Sequence, residues 1–150
     1  AFSFILATLL IGLVVSIVNL IVINLFVEIQ FYNILRIFYY LSITAIIFGS
    51  IGCFIGFVSY TWDVQQSFFN FFIVPISLFS GTFFSIASLE NNWKSIFFLN
   101  PFYHLVSNFR KGFDINQSYN LKIDIMLIIV GFLIVYFTVF VFKKGWKVIS

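Results

Sequence analysis

The chain has 150 residues, of which 62% are hydrophobic and 9% charged, with a mean hydropathy of +1.12 and a formal net charge of +3. Water-soluble domains keep about a quarter of their residues charged to cover their surface, so this composition excludes a soluble globular domain and calls for lipid as the covering solvent. The Lys and Arg residues sit at segment ends rather than in a basic stripe with stacking aromatics, which excludes a nucleic-acid-binding surface.

The chain opens "AFSFILATLL", without an initiator Met or a charged lead-in. A secretory signal has a basic start, a short apolar core and then a polar mature protein. Here the first apolar run is long and others follow, so the expectation is the C-terminal part of a longer protein. Runs at 4–27, 37–59, 67–88 and 124–142 are each long enough to cross a bilayer, which takes about 20 apolar residues. They do not alternate as β-barrel strands would. The expected fold is an all-α, polytopic bundle of four membrane helices forming one transmembrane domain over 1–150. The joints "EIQFYNILR", "YTWDVQQ" and 89–122 are polar, aromatic or charged, as interfacial residues are.

Small residues recur on one face of the second run: Ser42, Ala45, Gly49, Gly52, Gly56 and Ser59, at spacings of three and four. Such faces let helix backbones approach closely in lipid. The first run carries Thr8, Gly12, Ser16 and Asn19, and the third Asn70, Ser77, Gly81, Ser85 and Ser88. These stripes fit either tight packing within one subunit or the lining of a path or subunit seam. Pro75 removes the donor for the Phe71 carbonyl and should bend the third helix, with Ser77 and Ser80 nearby to re-satisfy the backbone. The bend fits a static kink or a hinge. Cys53 lies inside an apolar run, which leaves no disulfide framework or thiolate metal site.

Between the third and fourth runs, "LNPFYHLVSNFRKGF" (99–113) is two-sided. Asn100 suits a helix cap, Pro101 its first turn and Gly112 its stop. The helix between spans roughly 16 Å at 1.5 Å per residue, too short to cross. Phe102, Leu105, Val106 and Phe109 share an apolar face, with His104, Ser107, Asn108, Arg110 and Lys111 on the other sides. Upstream, "ENNWKSIFFL" reads as another short amphipathic turn capped by Asn91 or Asn92. Residues 90–112 are therefore expected as an interfacial or re-entrant pair of broken helices, tolerated only where protein or a water-filled cavity surrounds them.

These features together resemble the C-terminal part of an ABC-2 type permease, in the drug and polysaccharide export branch. The resemblance rests on Pro75, the Ser80-Gly81 pair followed by Phe83-Phe84, Asn100-Pro101, Arg110, Gly112 and Gly145 among lysines. One departure is that Ser85 and Glu90 stand where the family usually has prolines. The resemblance implies a dimerising half-transporter, with a second permease subunit of the same kind. A separate ATPase subunit would bind ATP and Mg and drive it through a coupling helix upstream of Ala1. It also implies the bacterial inner membrane, a cytoplasmic C-terminus and a 90–112 element that closes the outer side of the path.

The chemistry of the residues is compatible with that. Asp63, Glu28 and Asp124 all sit at run ends, so no ion-coupling charge lies mid-membrane. No Gly-x-x-x-x-Gly-Lys loop is present, and His104 stands without the clustered ionisable groups an enzyme needs. The chain itself is thus read as a transporter subunit with no catalytic, cofactor or metal residue of its own. Arg110 and Lys111 suit either lipid headgroups or substrate. Lysines at 143, 144 and 147 mark one side, but Arg36, Lys94, Arg110, Lys111 and Lys122 mark the other, so charge counting does not orient the chain. A passive channel or a structural anchor of a larger complex is the alternative.

Overall fold

A computed structural model describes residues 2–82, Lys94, 97–114 and 120–144. Helix α1 runs Phe2–Phe26 and α2 Ile34–Val58. Helix α3 is a composite rod: α-helical over Trp62–Phe68, π-helical over Phe69–Ile73, α-helical over Val74–Ser77, then a wide turn over Leu78–Thr82 that kinks at Gly81. A short helix α4 follows at Pro101–Arg110, ending in a 3₁₀ turn at Lys111–Phe113, and α5 spans Leu121–Lys143. The described residues form an all-α membrane bundle, as their composition requires.

Among the described residues, three helices are long and apolar enough to cross a membrane: Ser3–Phe26, Ile34–Val58 and Leu121–Lys143. The fourth span, expected as one run over 67–88, starts earlier and is interrupted. Gly81 takes φ 78°, a left-handed conformation that ends the helix. Residues 83–88 lie outside the described ones, as do "ENNW", its Asn91 and Asn92 caps, and Gly145.

Helix starts follow local chemistry. The side chains of Asn33, Thr61, Asn100 and Asn120 each accept a backbone N–H from the first turn of α2, α3, α4 and α5. Pro75 sits where the rod widens: the Val74 N–H donates to the Phe69 carbonyl five residues back. A π-turn just before a proline takes up the geometry that its ring would otherwise force into a sharp kink. The Ser77 and Ser80 hydroxyls bond the Val74 and Ser77 carbonyls, not that of Phe71.

Helix α2 is the centre of the bundle. Against it α1 runs antiparallel, with Gly12 over Ala45 and Gly49 over Thr8. A Cβ on Gly49 would lie 2.1 Å from the Thr8 hydroxyl, so the backbones approach as closely as only small residues permit. Helix α5 runs parallel to α2: Gly131 faces Ile47, Phe137 faces Phe54 and Phe142 faces Phe57. The buried Thr138 hydroxyl donates to its own Ile134 carbonyl at 2.8 Å and lies 3.2 Å from that of Ser50. The core is Tyr40, Ile43, Ile47, Phe102, Leu105 and Leu127, so α4 belongs to it. On the outside α1 exposes Leu10, Val14, Ile21 and other apolar side chains, a surface suited to lipid tails.

Candidate functional site

Where α3 breaks, its last carbonyls lose their intrahelical donors. In lipid each orphan would cost several kcal/mol, so broken helices persist only where protein re-satisfies them. The structure supplies the donors one by one. Asn100 Nδ2 donates to the carbonyls of Ile76 at 2.8 Å and Phe79 at 3.1 Å. The Ser80 hydroxyl donates to Ser77, and Arg110 Nη1 reaches the Gly81 carbonyl at 3.2 Å. The same Asn100 caps α4 through its Oδ1, which accepts the Phe102 N–H at 3.0 Å. One side chain therefore starts one helix and closes the end of another.

Helix α4 packs along α2. At its start Phe102 stacks on Phe48 of α2, ring centroids 4.5 Å apart. At its end the Gly112 carbonyl accepts the Asn33 N–H just ahead of α2, and a Cβ on Gly112 would lie 2.5 Å from Ile37. So α4 runs along α2 from the depth of Phe48 to the N-terminal end of α2. It is wedged between α2 and the kinked end of α3. Phe102 and Leu105 are buried as the apolar pattern required, and Val106 and Phe109 half-buried. Asn108, expected on a polar side, is instead 2% exposed. Its Nδ2 donates to the His104 carbonyl one turn back, which lets an amide sit on a packed face. His104 Nε2 lies 2.8 Å from the Phe98 carbonyl and ties the turn at 97–99 to α4.

Gly81, Asn100, Pro101, Arg110 and Gly112, separated by up to 31 positions in the sequence, thus belong to one junction of α2, α3 and α4, and Pro75 directly precedes Ile76, whose carbonyl Asn100 holds. The glycines of α2 divide. Gly49 is pressed on Thr8, whereas a Cβ on Gly52 or Gly56 would meet nothing within 4 Å among the described residues.

A polar cluster that the sequence did not signal lies at the same end of α2. The Tyr40 hydroxyl donates to Asp124 Oδ1, and Arg36 Nη1 lies 3.8 Å from Asp124 Oδ2. Each of these residues looks like an ordinary segment-end charge or aromatic until α2 and α5 are seen side by side. The Arg36 and Asp124 side chains are 34% and 18% exposed, so the ion pair is water-screened and weak. A double-mutant cycle of Arg36→Gln and Asp124→Asn, read by thermal unfolding in detergent, is expected to give a coupling below about 1 kcal/mol. Asp124→Leu, which also strands the Tyr40 hydroxyl, should cost more, about 1–3 kcal/mol.

The sequence model of the ABC-2 type transporter family matches residues 1–113, three-quarters of the chain and the whole α2–α3–α4 junction. The chain belongs to this family. The permease is also 29% identical over 105 residues to the "Inner membrane transport permease YadH" of Escherichia coli (strain K12) and to that of Shigella flexneri. Each match covers 70% of this chain and 40% of the relative, so the chain spans less than half the length of the curated relatives it matches. No solved structure matches the ABC-2 permease. The chain is therefore a multi-pass membrane protein of a transport permease family, and its apolar helices agree with that assignment.

Proposed function

We propose that the chain forms part of the permease subunit of an ATP-driven exporter in a bacterial inner membrane. The reading is carried by the broken α3 held at its end by α4, an arrangement that keeps irregular backbone at membrane depth through a set of dedicated residues. Pro75 and Gly81 shape the break, Asn100 and Pro101 start the element that covers it, Gly112 lets that element approach Ile37, and Arg110 ties the two. Such a construction suits the closing of a path better than the plain packing of an anchor.

The energy would come from elsewhere. The sequence has no phosphate-binding loop, and its carboxylates lie at segment ends rather than at an ion-coupling position. A partner ATPase subunit would bind ATP and Mg and work on a dimer of permease subunits. The open face at Gly52 and Gly56 offers a close-approach surface for the second one. Because α5 runs parallel to α2, Lys143 and Lys144 lie at the opposite end of the bundle from Gly112. With the basic tail in the cytoplasm, α4 closes the outer side. The cargo would be amphipathic: a drug, a lipid or a lipid-linked glycan.

Mild-detergent purification of the full-length protein from its native membrane, followed by mass spectrometry, tests this. A P-loop ATPase at near-equal stoichiometry is expected. Its absence after crosslinking would replace the exporter by a passive channel or an anchoring subunit.

A further inference from the structure

Behind α4 lies a cavity of about 360 Å³, bounded by α2, the end of α3 and α4 itself. Its α4 wall is Phe102, Val106 and Phe109, its α2 wall includes Leu41 and Thr44 up to the Phe48 ring stacked on Phe102, and its upper wall, from α3, is Ser80 and Thr82. The polar atoms of that upper wall are largely occupied: Ser80 donates to the Ser77 carbonyl and lies 2.8 Å from the Thr82 hydroxyl. The interior is therefore hydrocarbon-like, and it runs parallel to α2 from the depth of Phe48 toward the end where Gly112 meets Ile37.

The rim at that end is charged. Arg110 holds the carbonyl of Gly81, the residue between the two wall residues Ser80 and Thr82, so its guanidinium stands at the mouth. Among the described residues it uses one N–H there, and a guanidinium has five. The side chain is exposed. Lys111 follows it in the sequence. A planar fork of unused donors above a narrow apolar slot matches one chemistry, an acyl chain carrying an anionic phosphate.

We propose that this cavity is a specific site for an anionic phospholipid of the bilayer, with one acyl chain along Phe102, Val106 and Phe109 and the phosphate on Arg110. The position of the charge supports it: Arg110 lies two residues before Gly112, which meets Ile37 near the start of α2, while the cavity reaches back along α2 to Phe48. The lipid would brace α4 against α2 whatever energy source drives the protein.

The test is photolabelling of the full-length protein in phosphatidylcholine nanodiscs with a phosphatidylglycerol that carries a diazirine on its acyl chain. Labelling is expected to saturate and to map to the peptides of α4 and the end of α3. Unlabelled phosphatidylglycerol should compete about ten-fold better than phosphatidylcholine. Arg110→Ala should lower labelling by about the same factor, with Arg110→Lys recovering part of it. Val106→Trp fills the slot without touching the Gly81 contact and should abolish labelling while the protein keeps its wild-type helical circular-dichroism spectrum. Equal competition by phosphatidylcholine, labels outside these peptides, or undiminished labelling of the Val106→Trp protein would each overturn the site.

Discussion

Replacing Asn100 by leucine is expected to cost about 3 kcal/mol and to stop transport. Three hydrogen bonds converge on this one side chain: the α4 cap at Phe102 and the two carbonyls at the end of α3. Loss of a helix cap costs about 1 kcal/mol, and a carbonyl that loses its donor where lipid rather than water faces it adds about 1–3 kcal/mol. Substitutions that keep part of the chemistry separate these contributions. Asn100→Ser retains an oxygen for the cap but cannot reach two carbonyls, so it should fall between wild type and leucine. Asn100→Asp keeps the cap and sets a carboxylate against the Ile76 and Phe79 carbonyls, so it should be at least as damaging as leucine. Thermal unfolding of the full-length protein in detergent measures the ranking. If the Asn100→Asp protein matched the wild type, the two donor bonds from Nδ2 would have no energetic weight.

Gly49→Val is expected to separate α1 from α2, at about 3 kcal/mol or more. The added Cβ alone would sit 2.1 Å from the Thr8 hydroxyl and 2.8 Å from its Cβ, and no rotation of Thr8 removes the second clash. Overpacking of this kind costs about 1–3 kcal/mol in soluble cores. A bilayer leaves α1 no hydrophobic reason to return, because lipid tails cover its apolar face equally well. Gly52→Ala is the matched control, expected within about 0.5 kcal/mol, since its Cβ meets no described atom. Levels of folded protein in the membrane and unfolding temperatures of both variants decide it. Equal loss at the two positions would mean that the α1–α2 contact is not what Gly49 serves.

How far the primary structure reveals this architecture depends on the kind of signal. Helix existence and membrane depth follow from composition and run length, so α1, α2 and α5 lie within a few residues of their expected bounds. The start of α4 follows from Asn100 and Pro101, whose backbone chemistry is local, whereas Gly112, expected as the stop, lies inside the closing 3₁₀ turn and serves the close approach to Ile37. The π-turn before Pro75 was legible only as a bend. The interruption at Gly81 was not legible at all, because a glycine within an apolar run reads the same whether it packs or breaks. Asn108 defeated the polarity pattern because its amide is satisfied within its own helix, which no side-chain scale registers.

By itself the sequence determined the solvent, the helical class, the approximate membrane segments and the presence of a short two-sided helix before the last one. All of these depend on properties that residues carry wherever they stand: apolarity, capping chemistry and length. Tertiary structure alone decided that α4 packs between α2 and the end of α3, that Asn100 and Arg110 serve the carbonyls of another helix, that Tyr40 and Arg36 meet Asp124, and that one glycine of the α2 stripe is packed while two meet no neighbour among the described residues. Those facts are pairings between distant residues. In lipid, where apolar burial does not choose among partners, they follow from close packing and from the need to give every broken backbone group a donor.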